Sequence, residues 1–333
     1  MDVLLIGGTR FLGPLVAMRL LAAGHRVTVL NRGTRPDPFG AFQPWISGLV
    51  ADRRSPELAR VLDGRRFDAV VDFAAYESTD VDGAVRALRG RMGHYLLIST
   101  GQVYLVREGC PVPARETDYD GPLLPRPTEP HDLGQWEYGI GKRACEDRLR
   151  EAWEKERFPA TRLRIPVVLG ERDHNRRLDG YLFRLLDGGP ILVPDGGHVP
   201  MRPVYGGEVA RAVTAILGRA DTFGEAFNLC QGETLTLREL LGILAEHVGA
   251  TPRLVDVSSA TLQSAGLAPS VVSHFSRGWM SLLDPAKATG TLAFQHLPVR
   301  DYLARIVASF LAYPPAEPPP GYAERIRERQ LVE

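Results

Sequence analysis

The sequence predicts an α/β chain built on a doubly wound parallel sheet with a smaller C-terminal α/β lobe. Three observations carry that prediction. The chain opens on a short apolar run, Val3-Leu4-Leu5-Ile6, which passes through a glycine-rich turn into a segment of helical period. Strand-like and helix-like segments then alternate up to residue 165, as they do where parallel strands are joined by crossover helices. Beyond that point the order becomes irregular. Residues 1–165 are therefore expected to form one domain, completed by about 203–232, with 166–202 and 233–312 as a substrate lobe and 313–333 as a proline-rich tail.

The first element is the strand at residues 3–6, and the turn after it reads Gly7-Gly8-Thr9-Arg10-Phe11-Leu12-Gly13. Leu12, Val16 and Leu20 recur at helical spacing until Gly24, and a second strand follows at 26–30. This is the dinucleotide-binding, or Rossmann, unit: Gly7 permits the tight turn, Gly13 permits close helix–strand packing, and the helix N-terminus receives the pyrophosphate. Gly7, Thr9, Arg10, Phe11, Leu12 and Gly13 are accordingly candidate cofactor contacts. Arg10 replaces the usual middle glycine, and Asn31-Arg32 replaces the acid expected after the second strand. A carboxylate there would repel a 2'-phosphate, whereas a guanidinium fork matches it, so NADP(H) is favoured over NAD(H).

Residues 33–40, with two prolines and two glycines, read as a loop. A third strand at 45–51 ends at Asp52, and Ser55-Pro56-Glu57 caps a helix reaching Leu62. The fourth strand, 69–73, is closed by Ala74-Ala75, small enough to let a cofactor approach. A helix through Val81 and Leu88 leads to a fifth strand at 95–98, which ends in Ser99-Thr100-Gly101-Gln102. Residues 110–130, rich in proline and charge, predict a long loop across the mouth of the site. The helix entered near Trp136 runs to about Lys155 and carries Tyr138 and Lys142 four apart, on one face. A sixth strand follows at 161–165. Later segments predict helices at 181–186, 208–217, 236–247 and near 301–311, strands at 191–193 and 226–229, and a stiff extended exit through Pro314–Pro320.

Forty basic and forty acidic residues cancel, so no overall field draws the protein to nucleic acid or to an anionic membrane; a small-molecule substrate is expected. No apolar segment approaches the ~20 residues that span a bilayer, and no basic leader precedes the first strand, so a cytoplasmic location is expected. Cys110, Cys145 and Cys230 are odd in number and lack metal-ligand spacing, which argues against a disulfide framework or a metal site.

Parallel sheets bind ligands beyond the carboxyl ends of their strands, where Thr100 and the Tyr138 helix are both expected. A phenol exchanges protons near neutral pH only when its anion is stabilised, and a lysine one turn away does this; Thr100 is placed to bond the same substrate oxygen. On Tyr138-x-x-x-Lys142, Thr100 and the Gly7 to Gly13 turn, the sequence resembles the extended short-chain dehydrogenase/reductase family, with its NAD(P)-dependent epimerases and dehydratases. Asp52, Ala74-Ala75, Arg164-Ile165-Pro166 and Asp284-Pro285-Ala286-Lys287-Ala288 extend the resemblance to about residue 311. It implies Tyr138 as general acid/base, Lys142 on the nicotinamide ribose, Thr100 orienting substrate, and Arg202, with Gln102, in substrate binding, plausibly of a nucleotide sugar.

Three functions are consistent with these residues: a redox-neutral epimerase, an NADPH-dependent ketoreductase of secondary metabolism, and an RNA-binding protein like some relatives that share the Gly-Gly-Thr-Arg-Phe turn. Zero net charge and the complete Thr-Tyr-Lys set rank the last lowest. The acid pair that follows the threonine in the family's dTDP-glucose 4,6-dehydratases is here Gly101-Gln102, which predicts no dehydration. Homodimerisation is left open.

Overall fold

The computed structural model describes residues 1–36, 38–276 and 278–332. Asp37, within the loop expected at 33–40, Arg277, and Glu333, within the expected tail, lie outside the described residues. The first half of the chain alternates β1 (Asp2–Ile6), α1 (Leu12–Ala22), β2 (Arg26–Asn31), β3 (Ile46–Val50), α2 (Glu57–Leu62), β4 (Phe67–Asp72), α3 (Ser78–Leu88) and β5 (Met92–Thr100). A short α4 (Gln102–Leu105), the long α5 (Pro130–Glu156) and β6 (Ala160–Ile165) follow. The remainder contains β7 (Val168–Leu169), α6 (Asp179–Leu186), β8 (Pro190–Pro194), β9 (Val204–Tyr205), α7 (Gly206–Ile216), β10 (Ala226–Asn228) and α8 (Leu237–Val248). Last come β11 (Arg253–Val257), α9 (Ser259–Ser264), α10 (Pro269–Val272), α11 (Ala286–Leu292), α12 (Val299–Ala312) and α13 (Arg325–Gln330).

The chain divides into two compact units. The first, Met1–Pro166 with Gly206–Cys230 and Leu283–Gln295, holds a seven-stranded sheet in the order β10-β6-β5-β4-β1-β2-β3, with every pairing parallel. The order reverses direction between β1 and β4, which makes their carboxyl ends the switch point where such sheets bind ligands. Strands buried on both faces explain the nearly unbroken apolar runs. Leu4 and Ile6 of β1, Val70 of β4 and Tyr95 and Leu97 of β5 pack with Val81, Val85, Cys145 and Leu149 of α3 and α5. The buried stripes are Val16, Ala17 and Leu20 on α1 and Val209, Val213 and Ile216 on α7, and α1 packs on α7 and on β2.

The second unit comprises Val167–Tyr205, Gln231–Leu282 and His296–Glu333, with Arg277 and Glu333 outside the described residues. It contains two parallel strand pairs, β8 with β11 and β7 with β9. Its core joins Leu182 and Leu185 of α6, Leu240 and Leu244 of α8, and Leu303 and Ile306 of α12. Thr236 and Glu239 form a capping box at the start of α8, and Gly249 ends it in the left-handed region.

Four details differ from the sequence expectation. Residues 283–295, expected in the second lobe, belong to the first unit: Leu283 bridges to Ala114, and α11 packs on β10 and α7. The first unit resumes at Gly206 rather than at about 203, because Val204 and Tyr205 pair with Val168 and Leu169 in the second. Pro319 is extended as expected, but the charged segment after the prolines forms a short turn from Pro320 and then α13, where Glu328, fully buried, receives Arg184 while Arg325 donates to Asp187 at 2.6 and 2.7 Å. Helix α5 also starts six residues before Trp136, at Pro130, with the Glu129 side chain accepting from the Asp132 N–H at 2.9 Å. Among the described residues, no helix is long and apolar enough to cross a membrane.

Candidate active site

The turn after β1 is shaped by contacts that exclude side chains. A Cβ on Gly13 would lie 2.4 to 2.5 Å from three backbone atoms of Gly8, and one on Gly7, whose φ is +80°, would lie 2.6 Å from the Cβ of Ala74. The turn therefore sits directly on the end of β4, with Gly7 against Ala74 and Gly13 against Gly8. Phe11, just before α1, has φ +39°, a conformation costing a non-glycine residue about 1–3 kcal/mol. No side chain caps α1 and its first turn carries no acid, so the positive end of the helix faces no negative group of its own. The cradle a Cβ would fill and the uncapped helix fit a pyrophosphate.

At the end of β2, Asn31 Oδ1 accepts the N–H of Gly33 at 2.7 Å, closing the turn on itself. Arg10 and Arg32 are exposed, and among the described residues neither side chain has a partner within the molecule. Asp52, after β3, spends Oδ1 on the N–H of Arg54 at 2.9 Å and leaves its other oxygen to solvent.

The second half of the site lies at the ends of β4 and β5, under the N-terminal part of α5. Lys142 is 2% exposed, and its Nζ donates to the carbonyls of Ala75 at 2.9 Å and Ile98 at 2.7 Å. Burial pulls its ammonium below the ordinary lysine range, with Cys145 and Asp72 opposing the shift. The same Nζ stands 5.6 Å from the centre of the Tyr76 ring, and Tyr76 in turn lies against the Tyr138 ring at 6.3 Å. Tyr138 is 39% exposed, so its ring reaches solvent above a buried cation. Thr100 ends β5 with its Oγ1 accepting the N–H of Gln102 at 3.2 Å, and the Gln102 amide donates to Gln135 of α5 at 2.6 Å.

Sequence reasoning missed the groups that hold this arrangement. Gly141 and Gly139, inside α5, let the helix descend: a Cβ on Gly141 would lie 2.4 Å from the Tyr76 carbonyl, and one on Gly139 2.6 Å from Val106. Two glycines in the interior of a long helix were the available signal. Beneath the Ala74 to Glu77 loop, Asp72 accepts Arg53 at 2.7 and 2.8 Å, the Ala74 N–H at 2.8 Å and the Tyr95 hydroxyl. Beside it, buried Asp80 takes Arg54 at 2.7 and 3.0 Å and the N–H groups of Tyr76 and Glu77. Burial works to raise Asp80, but the Arg54 bond and those N–H groups hold its carboxyl below the usual range. Behind Thr100, Glu146 accepts Ser99 at 2.5 Å and Arg164 at 2.6 Å, and Arg164 overrides burial to keep it ionised.

Arg202 belongs to the second unit, where its Nε donates to Thr234 at 2.9 Å.

With this geometry in view, comparison with known proteins is informative. The model of the NAD dependent epimerase/dehydratase family matches residues 3–230. Among curated proteins, the chain is 26% identical to the chloroplast stem-loop binding protein of 41 kDa b of Arabidopsis thaliana over 74% of its own length. It is also 26% identical to the 2'-dehydrokanamycin reductase of Streptomyces kanamyceticus over 72% of its own length. It spans 63% and 64% of the lengths of those two relatives. Among solved structures, a dTDP-glucose 4,6-dehydratase of Streptomyces venezuelae with bound NAD superposes with TM-score 0.70 at 23% identity, covering 94% of this chain and 98% of that one. A UDP-glucose 4-epimerase of Thermotoga maritima with UDP-glucose gives TM-score 0.73 at 19% identity, covering 94% and 99%. Those two share the fold of the chain. The family match, which extends from the glycine turn through Thr100, Tyr138 and Lys142 to just past β10, goes further: the chain belongs to the NAD-dependent epimerase/dehydratase family.

Proposed function

We propose that the protein is an NADP(H)-dependent oxidoreductase or epimerase acting at a hydroxyl or ketone carbon of a sugar-like substrate, a nucleotide sugar included. The observation that carries this reading is the buried Lys142 ammonium, fixed to the carbonyls of Ala75 and Ile98 on the helix that presents Tyr138. The turn from Gly7 to Gly13, with Ala74 and Ala75, would hold the dinucleotide; Arg32, with Arg10, would take its 2'-phosphate, and Asp52 its adenine end. When bound, the nicotinamide supplies or accepts the hydride. Tyr138 gives the proton to, or takes it from, the substrate oxygen. Thr100 holds that oxygen by a hydrogen bond. Lys142 favours the phenolate electrostatically and contacts the nicotinamide ribose. Arg202 and Gln102 are assigned to substrate binding.

Dehydration is not part of this reading. Removing water from a sugar needs an acid at the leaving oxygen and a base at the neighbouring carbon. The two residues after Thr100 are Gly101, whose N–H donates to Ile165, and Gln102, whose amide is engaged by Gln135. Neither titrates.

A second reading, net ketone reduction with exchangeable NADPH, is favoured by the likeness to a 2'-dehydrokanamycin reductase. A nucleic-acid role has the stem-loop binding relative in its favour, but zero net charge against it. The nucleotide carried by purified protein separates the enzyme readings: tightly held oxidised cofactor supports epimerisation, exchangeable NADPH supports reduction. Tyr138→Phe should cut turnover by about two to four orders of magnitude while nucleotide binding survives. Near-normal turnover in that variant moves the acid to another group.

A further inference from the structure

We propose that the first unit carries a second ligand site, for a small molecule bearing a phosphate or other oxyanion, in a cleft of about 680 Å³ centred on Arg162. None of the residues assigned above to cofactor, catalysis or substrate lines this cleft. It opens beside β6 and β10, at the far side of the sheet order from β1, and its volume falls in the range of about 300–1,000 Å³ typical of small-molecule sites.

The argument rests on how charge is paired around it. Arg164 is bonded to Glu146 at 2.6 Å, Lys287 to Glu225 at 2.6 Å, Arg115 to Asp284 at 3.0 Å and Arg150 to Asp120 at 3.1 Å. Arg162 is the exception. It is 9% exposed, and its only acceptors among the described residues are two main-chain carbonyls, Gly224 at 2.5 Å from Nη2 and Glu225 at 3.4 Å from Nε. Among the described residues no carboxylate lies within ion-pair distance of it, and Nη1 has no acceptor.

A guanidinium so deeply buried without a counter-ion is costly, and where Arg143, equally buried and also held by two main-chain carbonyls, lies 3.9 Å over the Tyr119 ring, Arg162 lines an open cleft. Burial accordingly drives Arg162 below the ordinary arginine value, with Glu146 opposing and Arg164 adding to the shift. The remaining acid of the cleft, Glu116, is turned onto the Asn228 N–H at 2.7 Å, and burial pushes it up towards its neutral form. An oxyanion is the group that fits: a planar fork with a free N–H edge bonds two oxygens of phosphate, sulfate or carboxylate at once.

The test uses the full chain and inorganic phosphate as probe, with acetate at equal ionic strength to separate phosphoryl from carboxylate recognition. Calorimetry should show saturable phosphate binding that Arg162→Gln weakens about tenfold or more, and Arg162→Lys, which keeps charge but loses the fork, by less. Tighter acetate than phosphate binding, lost in the same variant, would assign the site to a carboxylate ligand. Crystals of the unaltered protein soaked in selenate should show an anomalous peak within hydrogen-bond distance of Arg162 Nη1, which keeps the test independent of how the variants fold. A peak only at the start of α1, equal phosphate binding by Arg162→Gln, or no saturation below about 10 mM would each overturn the proposal, the last meaning an adventitious ion only.

Discussion

Gly141→Ala is the sharpest probe of how α5 is seated. By helix propensity alone the change should stabilise, since alanine is about 0.8–1.0 kcal/mol better than glycine in a helix interior. The structure predicts the opposite sign. The new Cβ would lie 2.4 Å from the Tyr76 carbonyl oxygen, whereas ordinary contact begins at 3.4 Å, so helix or loop must retreat by about 1 Å. A retreat of that size along the Lys142 to Ala75 bond, now 2.9 Å, stretches it beyond hydrogen-bond length and leaves a buried donor unsatisfied, at about 1–3 kcal/mol. After the propensity gain, a net loss of up to about 2 kcal/mol remains, within the range of measured overpacking penalties. The comparison is Gly134→Ala in the first turns of the same helix, where nothing lies within 4 Å and stability should hold or rise. Urea midpoints and calorimetric melting of both variants against the parent check this. A Gly141→Ala protein as stable as Gly134→Ala would refute the reasoning.

Three further outcomes are expected. Arg32→Ala should weaken NADP(H) about tenfold or more, the worth of a phosphate–guanidinium pair at about 1.5–3 kcal/mol, and leave NAD(H) unchanged in fluorescence titrations; equal loss of both would sink the 2'-phosphate assignment. His94 is fully buried, accepts the Gly218 N–H at 3.1 Å, lies 2.9 Å from Thr161, and is held down to about 4 by burial. Its folded value lies below its unfolded value of 6.5, so its contribution is complete above pH 6.5 and is lost as pH falls towards 4, about 3 kcal/mol in all. His94→Gln should flatten that acid limb in urea titrations at several pH values, and an unchanged limb would assign it to other groups. Glu328→Ala should cost about 3–5 kcal/mol by stranding Arg184, whose side chain is 3% exposed; a melting temperature equal to that of the parent would show that α13 does not support the second unit.

What was legible in the sequence is what is written in contiguous residues. The Gly7 to Gly13 turn could be read because strand, turn and helix are each coded within a few positions, and the contact of Gly13 with Gly8 spans only five residues. The cap of α8 by Thr236 and Glu239 was equally local. Asp72 was not legible in the same way. An acid closing the apolar run Ala69-Val70-Val71 demands partners, but those it found, Arg53 and Tyr95, lie 19 and 23 positions away in loop and strand. The tail shows the limit of composition as a guide: its prolines predict an extended exit, but nothing local shows that a glutamate beyond them pairs with Arg184 at a separation of 144 residues. Likewise Lys287 could be recognised within a motif, yet its bond to Glu225 and its place over the Phe227 ring, which keep α11 on the sheet, follow only from the assembled fold.

The same distinction bears on Lys142. Its spacing from Tyr138 made it a candidate, and spacing alone would leave its ammonium free to move with a flexible stem. In the fold, two of its three N–H groups are committed to carbonyls at the ends of β4 and β5, so the position of the charge is set by the sheet rather than by the helix that carries it. Both carbonyls sit where the parallel strands finish, one beside Ala74, which touches Gly7, and the other two residues before Thr100. The glycine turn, the cation and the threonine are thereby referred to adjacent strands of one sheet. Only Tyr138, half-exposed on α5, depends on how closely that helix descends, and Gly139 and Gly141 set the descent. The residues most informative about the chemistry of this site are thus two that have no side chain with which to perform it.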